Sequence, residues 1–365
     1  MRQNQPRFDG IKLASICLMS VTSRQGPCQT IGWLGMYRIS LGSSGQYEAA
    51  DGETLLEAAM RAKRPWSYSC RTGRCSSCRC RVLSGHTHLR APELGLDEAE
   101  KVQGWILACV RTPASDLEIE PAYLDERLLT QPRIWPCRIS DLRRLAPDVM
   151  RVVLRLPPAS SLEFLPGQFI DVIGPQGLRR SYSLARADFG QCQVELHVRS
   201  VDKGAMSHYW FDQAKIGDLL RLEGPLGTFF LRDVGGLDLV FLATGTGIAP
   251  IKAMLESLPF AASSERPRSV TLLWGGRVSE DLYLNGHDLV PGGRFIPVLS
   301  RAPALWSGAR GHVQTVYLSE HPNLGNVAVY ACGSEAMVRG ARSALLRAGL
   351  APDRYHADAF VSTGP

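Results

Sequence analysis

The chain has 365 residues, of which 45% are hydrophobic and 21% are charged, and its formal net charge is +6. This length exceeds the usual size of one domain, so two or three domains are expected, and no apolar run approaches the ~18 residues that a membrane-spanning helix needs. The positive charge is too small and too scattered to predict a nucleic-acid partner, although it is compatible with an acidic protein partner.

The first segment, residues 1–35, is predicted to be a disordered or mis-started extension, with Met36 opening the folded chain. Its apolar stretch LASICLMSV could instead be the core of a signal peptide, but it is short and lacks a small-x-small cleavage site. Ten cysteines in so large a chain, several of them closely spaced, favour a reducing compartment over a disulfide framework. We therefore expect a cytoplasmic protein.

Residues 36–125 are predicted to form the first domain. The pattern indicates two strands joined by a Gly/Ser turn and then a helix, with Asp51 as its N-cap and with Leu55, Leu56 and Ala59 at helical spacing. A cysteine-rich loop follows, then a short strand in RVLSG, a polar helical run up to Gly104, and strands in GWILACV and DLEIE. This order predicts a compact domain of about ninety residues.

The loop SYSCRTGRCSSCRC contains most of the motif that defines this domain. Cys70, Cys75, Cys78 and Cys109 are separated by four, two and thirty residues. The first three match the C-x4-C-x2-C spacing of plant-type [2Fe-2S] sites, whose fourth cysteine is distant. Zinc is the alternative metal, but a zinc site usually has two C-x2-C pairs. The sequence predicts that these four cysteines ligate a [2Fe-2S] cluster, while Cys80 is a small buried residue.

Positive charge is concentrated around the same loop. We expect Arg71, Arg74 and Arg79 to favour the reduced, more negative cluster and to steer an acidic acceptor protein. A solvated charged face is the alternative, and it is the preferred interpretation for Arg61 and Lys63.

Residues 126–132 are predicted to be a linker, and residues 133–235 a second domain. Short alternating strands separated by proline and glycine turns indicate an antiparallel β-barrel. Only the segment GAMSHYWFDQA has a helical pattern.

Residues 236–365 are predicted to form the third domain, because buried strands alternate with helices. This pattern is typical of a parallel sheet covered on both faces. The segment ATGTGIAP lies between a strand and a helix, where glycines allow a dinucleotide to approach the backbone, although it is not the G-x-G-x-x-G fingerprint.

These motifs resemble known proteins in the same order along the chain. Residues 36–125 resemble a plant-type ferredoxin domain of β-grasp fold, although this region is basic and plant ferredoxins are acidic. RRSYSLA, HVRSVDKGAMS and GPLGTFFLR resemble elements of the FAD-binding barrel of the ferredoxin-NADP reductase family, and ATGTGIAP and YACGSEAMV resemble its NAD(P)-binding turns. Residues 36–363 resemble the CDP-6-deoxy-Δ3,4-glucoseen reductases and the reductase components of aromatic-ring dioxygenases such as the naphthalene enzyme.

The resemblance implies a set of flavin-binding residues. Arg180 would meet the pyrophosphate, Tyr182 would lie against the isoalloxazine, and Ser183 would hydrogen-bond near N5. The backbone amides at the start of the helix at residues 204–207 could bind a phosphate. The predicted FAD-binding residues are Arg180, Ser181, Tyr182, Ser183, His197, Gly204, Met206 and Ser207.

The resemblance also implies a nicotinamide site. The predicted residues are Thr244, Gly245, Thr246, Gly247, Pro250, Cys332, Gly333 and Phe360. Cys332 would lie near the carbon that gives up hydride and Phe360 would shield the flavin, and either could instead be a core residue. Ser183, Cys332 and Phe360 are the predicted catalytic residues. NADH is favoured over NADPH, with Arg277 and Arg301 as candidates for a 2′-phosphate contact.

Together the three domains predict an NAD(P)H-dependent oxidoreductase that passes electrons from NAD(P)H through FAD to a [2Fe-2S] cluster and on to a partner protein. FAD converts a two-electron donor into a one-electron donor. The expected acceptor is a pyridoxamine-phosphate-dependent sugar dehydratase, and the alternative is an oxygenase component. A stand-alone flavin reductase and a non-enzymatic zinc- and nucleotide-binding protein are the remaining alternatives.

Overall fold

The computed structural model describes residues 35–122, 132–158, 160, 162–187, 190 and 192–360. The predicted extension at residues 1–35 and the predicted linker at residues 126–132 lie almost entirely outside the described residues. Residues Met36–Pro365 form one compact unit. Within the described ranges, no helix is long and apolar enough to cross a membrane.

The first region is a mixed sheet covered by a helix. Its elements are β1 (Met36–Ser40), β2 (Gln46–Ala50), α1 (Leu55–Arg61), β3 (Arg79–Ser84), β4 (Thr87–Leu89), α2 (Glu98–Val102), β5 (Trp105–Leu107), β6 (Arg111–Pro113) and β7 (Leu117–Pro121). The main sheet has the order β2-β1-β7-β3-β5, with β7 parallel to β1 and the other pairs antiparallel. Helix α1 buries Leu55 and Leu56 in a core that also contains Ile39 and Ile119. This is the predicted β-grasp arrangement.

Helix α1 begins three residues later than the sequence predicts. Its N-cap is Thr54, whose hydroxyl accepts from the backbone N–H of Glu57 at 3.2 Å, while the Glu57 carboxylate accepts from the N–H of Thr54 at 2.9 Å. Gly52 has a φ of +75°, which places residues 51–52 in a turn. The predicted cap at Asp51 is therefore wrong, because the Thr-x-x-Glu capping box provides both cap hydrogen bonds.

The second region is an antiparallel barrel. Its elements are β8 (Arg133–Ala146), β9 (Val149–Arg155), β10 (Phe169–Ile173), β11 (Arg179–Ser183), β12 (Gln193–Arg199), α3 (Ala205–His208) and β13 (Leu219–Leu226). The strand order among the described residues is β11-β10-β13-β8-β9-β12, and a bridge between Leu184 and Leu196 joins the two ends of this series. Helix α3 continues into a π-helical turn at Tyr209–Gln213, as the pattern of GAMSHYWFDQA predicts.

The third region is a parallel sheet covered by helices on both faces, which confirms the predicted α/β class. Its elements are β14 (Asp238–Thr244), α4 (Ile248–Ser257), β15 (Ser269–Gly276), α5 (Gly286–Leu289), β16 (Arg294–Leu299), β17 (Ala309–Arg310), α6 (Val313–Glu320), β18 (Val327–Ser334), α7 (Glu335–Arg347) and β19 (Tyr355–Phe360). The strand order is β17-β16-β15-β14-β18-β19. The chain runs outward from β14 to β17 and then returns to β18, so a topological switch point lies between β14 and β18, where open α/β sheets bind ligands.

Candidate functional site

A cavity of about 850 Å³ lies where the cysteine loop, the barrel and the parallel sheet meet. The cysteine loop contributes Ser69, Cys70, Arg71 and Thr72; the barrel contributes Phe169, Asp171, Ser181, Tyr182, Ser183, His197, Arg199 and Val201; the sheet contributes residues that include Thr244, Gly245, Thr246, Arg277, Asp358 and Phe360. The cavity therefore brings residues from all three motif groups of the sequence to one place.

The end of β11 provides the predicted flavin residues of the R-x-Y-S motif. The hydroxyl of Tyr182 accepts from Trp210 Nε1 at 3.0 Å, and the two rings meet edge to face at 6.2 Å, so the position of Tyr182 is held from behind. Burial raises the pKa of Tyr182 to about 12, which keeps the phenol neutral. Ser181 donates to Asp171 Oδ1 at 2.5 Å. Arg180 does not line the cavity, because its guanidinium donates to the carbonyl of Arg179.

The second predicted flavin element does not reach the cavity. Gly204 is the N-cap of α3, and Met206 and Ser207 are buried. Ser207 Oγ accepts from the backbone N–H of Val201 at 2.9 Å, so this serine closes its own loop. Val201 and the preceding strand line the cavity instead, and a flavin-binding role for residues 204, 206 and 207 stays a prediction.

His197 belongs to a buried polar network that the sequence did not indicate. Its Nε2 lies 3.2 Å from Glu195 Oε1, and its Nδ1 lies 3.1 Å from the hydroxyl of Tyr283. Arg151 and Lys252 approach the Glu195 carboxylate at 2.8 and 3.2 Å. These pairings satisfy the polar groups of a histidine whose position at the cavity the sequence did predict.

The charges of this network follow from its surroundings. Burial raises the pKa of Glu195, but the hydrogen bond from His197 and the charges of Lys252 and Arg151 outweigh burial and lower that pKa to about 2. Burial lowers the pKa of His197, so the imidazole is neutral. An ionised carboxylate can only accept hydrogen bonds. His197 therefore carries its proton on Nε2, and its Nδ1 accepts a hydrogen bond from the Tyr283 hydroxyl.

The glycine turn connects β14 to α4 at the carboxyl edge of the sheet. Thr244, Gly245 and Thr246 line the cavity, whereas Gly247 and Pro250 are buried behind them. A Cβ atom on Gly247 would lie 2.1 Å from the carbonyl oxygen of residue 332, so only glycine fits there. The turn after β14 therefore packs directly on the turn after β18.

Gly333 completes this contact between the two turns. Its φ is +146°, and an added Cβ would lie 2.1 Å from Thr244 Oγ1. The backbone N–H of Ser334 donates to the same hydroxyl at 3.2 Å. Gly333 does not line the cavity, although the neighbouring Ser334 does. The structure thus gives Gly333 a packing reason and leaves its predicted nucleotide contact untested.

The three predicted catalytic residues differ in position. Ser183 and Phe360 line the cavity. Cys332 is fully buried and does not line it, and burial raises the pKa of its thiol. Its partner across the sheet is Asp358, which does reach the cavity. A role in hydride transfer for Cys332 stays a prediction.

The four predicted cluster ligands are arranged as two pairs. The thiols of Cys70 and Cys75 are hydrogen-bonded, and that bond lowers the pKa of Cys70 to about 5. The thiols of Cys78 and Cys109 form the second pair, and their hydrogen bond and burial raise the pKa of Cys78. The backbone N–H groups of residues 72 and 74 donate to Cys70 Sγ at 3.5 and 3.4 Å.

This arrangement fits a two-iron cluster. In a four-cysteine [2Fe-2S] centre each iron takes two thiolates, and N–H donors to sulfur stabilise the charged form of the ligand. The two thiol pairs and the N–H donors to Cys70 Sγ are compatible with such a centre. Cys80 is fully buried outside the pairs, as predicted.

The arginines of the cysteine loop mostly contact this chain's own groups. Arg74 forms an ion pair with Glu335 at the start of α7, and Arg79 donates to the carbonyl of Pro352 at 3.1 Å. Arg71 lies over the ring of Tyr68 at 4.8 Å. The prediction that Arg74 and Arg79 steer an external acceptor is therefore corrected, because these side chains are used to hold the loop on the C-terminal sheet.

Asp358 is a cavity residue that the sequence reasoning missed. It accepts a hydrogen bond from Ser69 Oγ, so it lies between the cavity and the loop of Cys70. Burial raises the pKa of Asp358 to about 6, against the lowering effect of the Ser69 bond. One signal could have found it: Asp358 is two positions before Phe360, and alternate residues of a strand share one face.

The two arginines proposed for a 2′-phosphate also separate. Arg277 lines the cavity, and its backbone N–H donates to Asp281 Oδ2 at 2.7 Å. Arg301 does not line it and is joined to residue 277 through a backbone hydrogen bond. The preference for NADH over NADPH is not decided by these positions.

Comparison with protein families finds three matches in order along the chain. Residues 39–114 match the 2Fe-2S iron-sulfur cluster binding domain, residues 136–231 the oxidoreductase FAD-binding domain, and residues 241–343 the oxidoreductase NAD-binding domain. The cofactors that these domains bind are those predicted from the motifs: a [2Fe-2S] cluster, FAD and a nicotinamide nucleotide.

Similar proteins extend over nearly the same length. The CDP-6-deoxy-L-threo-D-glycero-4-hexulose-3-dehydrase reductase of Yersinia pestis is 38% identical over 88% of this chain and 98% of its own. The ferredoxin--NAD(P)(+) reductase component of the naphthalene 1,2-dioxygenase/salicylate 5-hydroxylase systems of a Ralstonia species is 33% identical over 87% and 96%. The crystal structure of the Amycolatopsis cytochrome P450 reductase GcoB aligns with a TM-score of 0.66 and 32% identity, over 89% and 98%.

Proposed function

This chain belongs to the reductases that join a [2Fe-2S] ferredoxin domain to FAD-binding and NAD-binding domains, and from that premise we propose that it transfers electrons from NAD(P)H to a separate acceptor protein. The observation that carries the proposal is the shared cavity, which is lined by Cys70 of the cluster loop, Tyr182 of the barrel and Thr246 of the glycine turn. Donor, converter and acceptor sites that share one cavity can exchange electrons without a diffusing carrier.

Each region supplies residues for one group. The four paired cysteines would hold the cluster, Tyr182 and Ser183 would hold the flavin ring, and the turn at residues 244–246 would hold the nicotinamide nucleotide. When bound, FAD accepts two electrons as hydride and releases them one at a time. Phe360 lines the same cavity and would cover the flavin ring. Cys332 is buried behind the glycine turn, and its proposed role in hydride transfer would be exerted from that position.

The polar residues around the cavity differ in protonation state at neutral pH. Neutral His197 and ionised Glu195 hold one proton at Nε2 of the imidazole, and Tyr182 keeps its phenolic proton. The Ser69 and Asp358 pair closes the cavity on the side of the cysteine loop. These hydrogen bonds order the cavity wall.

Replacing one cluster ligand tests the proposed route. We expect Cys75→Ser to keep NADH-dependent reduction of bound FAD and to lose reduction of cytochrome c, because one-electron transfer leaves through the cluster. Cys192→Ser, on the barrel, is the matched control and should keep both activities. A Cys75→Ser protein that reduces cytochrome c at the wild-type rate would indicate a stand-alone flavin reductase instead. Elemental analysis that finds iron and acid-labile sulfide in the wild-type protein would exclude the alternative in which the cysteines bind zinc.

The proposed acceptor is a pyridoxamine-phosphate-dependent sugar dehydratase. The support is the 38% identity with the dehydrase reductase of Yersinia pestis, against 33% with the dioxygenase reductase component. An oxygenase component is the second candidate. Steady-state reduction of a purified CDP-6-deoxyhexulose 3-dehydrase by this protein and NADH tests the choice: turnover that saturates with the dehydrase supports it, and turnover only with an oxygenase component contradicts it.

A cytoplasmic location is part of the same proposal. No disulfide joins any of the eight cysteines in the described ranges, as is typical of a reducing compartment. Cell fractionation followed by immunodetection checks the location, and recovery in a secreted fraction would contradict it.

A further inference from the structure

A largely buried ionic cluster joins the ferredoxin domain to helix α7 of the C-terminal region. It consists of Arg79, Glu100 and Arg342, which we call the clamp. Arg342 donates from Nη1 and Nη2 to the two oxygens of Glu100 at 2.9 and 2.6 Å. Arg79 Nη1 lies 3.9 Å from the same carboxylate. The exposed fractions of these side chains are 8% for Arg342, 17% for Glu100 and 14% for Arg79.

Contacts at the start of α2 fix the orientation of the Glu100 carboxylate independently of Arg342. Glu100 is the third residue of α2, and its Oε2 accepts from the backbone N–H of Asp97 at 3.1 Å. In return, the N–H of Glu100 donates to Asp97 Oδ1 at 2.8 Å. This capping box fixes the glutamate rotamer, so Arg342 binds it in the two-point geometry that arginine and carboxylate prefer.

The clamp connects elements that lead directly to the two redox sites. Arg342 lies in α7, whose first turn lines the cavity through Ala336 and Met337. Arg79 starts β3 and follows the cluster ligand Cys78 in sequence. None of the three clamp residues lines the cavity.

The cysteine site is covered by the surface that the clamp holds. Cys75 is 4% exposed and belongs to the same apolar cluster as Ala357 and Ala359 of β19. Ser77 Oγ also donates to the carbonyl of Ala357 at 3.1 Å. The ion pair of Arg74 with Glu335 and the hydrogen bond from Ser69 to Asp358 also join the cysteine loop to the C-terminal region, and the clamp adds a contact in which one carboxylate meets two guanidinium groups.

We infer that the clamp is a positioning device for internal electron transfer: Arg342 and Glu100 hold the ferredoxin domain docked so that the cluster stays close to the flavin cavity. This inference rests on the proposed electron route. Arg79 is a second, more distant guanidinium beside the same carboxylate. The clamp alters only the separation of donor and acceptor, so the electron count of the reaction does not change.

The physical basis is the cost of an incomplete buried ion pair. Removing Arg342 leaves Glu100 with a weaker, more distant partner in a mostly buried site, and opening of the contact to solvent would relieve that cost. In Arg342→Gln, Glu100 keeps only the more distant Arg79, so α2 and the cysteine loop separate from α7 more often. The nucleotide turn and the flavin residues lie outside these contacts and should be unaffected.

The test compares Arg342→Gln with Arg347→Gln. Arg347 lies on the same helix and is exposed, and its guanidinium donates a hydrogen bond to the hydroxyl of Ser343 in that helix. After anaerobic rapid mixing with NADH, flavin bleaching should be unchanged in both, whereas the electron paramagnetic resonance signal of the reduced cluster should appear about tenfold more slowly in Arg342→Gln. A wild-type rate of cluster reduction in this variant overturns the inference, and so does an equal slowing of flavin bleaching.

A second readout does not depend on electron transfer. Hydrogen exchange of the backbone amides in α2 and the cysteine loop should be faster in Arg342→Gln than in wild type, while exchange in β14 stays the same. Unchanged hydrogen exchange overturns the docking role of the clamp, even if the proposed function holds. Conversely, an unreduced cluster in the wild type together with faster exchange in the variant would contradict the electron route and leave the docking role established.

Glu100→Gln approaches the same contact from the other side and guards against misfolding of one variant. If the two residues act as a pair, the double variant should be no slower in cluster reduction than the slower single variant. Additive losses in the double variant would mean that Arg342 and Glu100 act separately, and would overturn the inference.

Discussion

At the residue scale, burial decides which of the ionisable groups near the site carry charge. The ring of His356 lies against that of Tyr330 at a centroid separation of 4.7 Å and a tilt of 33°, and the charges of Arg232 and Arg79 act on it. Burial, with the charges of these two arginines, lowers the pKa of His356 to about 3. In the unfolded chain the same imidazole titrates near 6.5. Between these values the unfolded state binds more protons, so His356 costs stability as the pH falls from about 6.5 towards 3.

This sign gives a prediction for His356→Phe, which keeps a ring against Tyr330 but removes the titration. Between pH 7 and pH 5, the free energy of unfolding of the wild type should fall by up to about 2 kcal/mol more than that of the variant. Denaturant unfolding of the loaded protein at both pH values measures the difference. The raised pKa of Asp358 makes stability increase as the pH falls, but this contribution is equal in both proteins and cancels in the comparison. A difference that does not change with pH would contradict the prediction.

At the scale of elements, the site depends on two turns at the carboxyl ends of β14 and β18. Gly247 and Gly333 allow these turns to touch, and a side chain at either position would meet backbone or Thr244 at 2.1 Å. Only the parallel order of β14 and β18 brings the turns together, since both strands end at the same edge of the sheet.

We expect Gly247→Ala to destabilise the protein by about 1–3 kcal/mol, because the added methyl group meets a backbone carbonyl that cannot move alone. Binding of NADH should weaken as well. Gly340→Ala is the control: its Cβ would lie 3.5 Å from Gln314 Nε2 in the interior of α7, and it should stabilise the helix by about 0.5–1 kcal/mol. Thermal unfolding and NADH titration measure both variants. If Gly247→Ala were as stable as Gly340→Ala, the close contact at residue 247 would be relieved by movement elsewhere in the structure.

At the scale of the whole molecule, the cysteine loop is held by the barrel as well as by the C-terminal sheet. Thr228, which follows β13, accepts from the backbone N–H of Tyr68 at 2.9 Å and donates from its own N–H to the Tyr68 carbonyl at 2.9 Å. Its hydroxyl also lies 2.8 Å from Ser67 Oγ. The loop therefore enters the cluster site from a buried anchor on the flavin domain.

Thr228→Val should remove the hydroxyl contacts of this anchor with little change in shape, while the backbone bond from residue 228 to the Tyr68 carbonyl remains. We expect a loss of about 1–3 kcal/mol, because the N–H of Tyr68 stays buried without its acceptor. Thr271→Val, in β15 of the parallel sheet, is the control and should change stability far less. Thermal unfolding measures the stabilities, and slower cluster reduction after mixing with NADH would show that the anchor also positions the loop. A Thr228→Val protein as stable as the control would contradict the expectation.

Local patterns in the sequence were enough to predict the three domain types and their cofactors. Cysteine spacing, strand alternation and the glycine turn are local patterns, because the residues that share one ligand or one turn lie within a few positions of each other. Thirty residues separate Cys109 from Cys78, and the role of Cys109 as the distant ligand stays a prediction, although the thiols of the two residues are hydrogen-bonded.

Only the tertiary structure decided how the domains meet. Ser69 and Asp358 are 289 residues apart, and Glu100 and Arg342 are 242 residues apart. No periodicity links such residues, because their contact depends on how two separately folded surfaces fit together. The same reason explains why Arg74 and Arg79 were assigned to an outside partner: their charge is visible in the sequence, but the glutamate and carbonyl groups that bind them come into reach only when the domains pack.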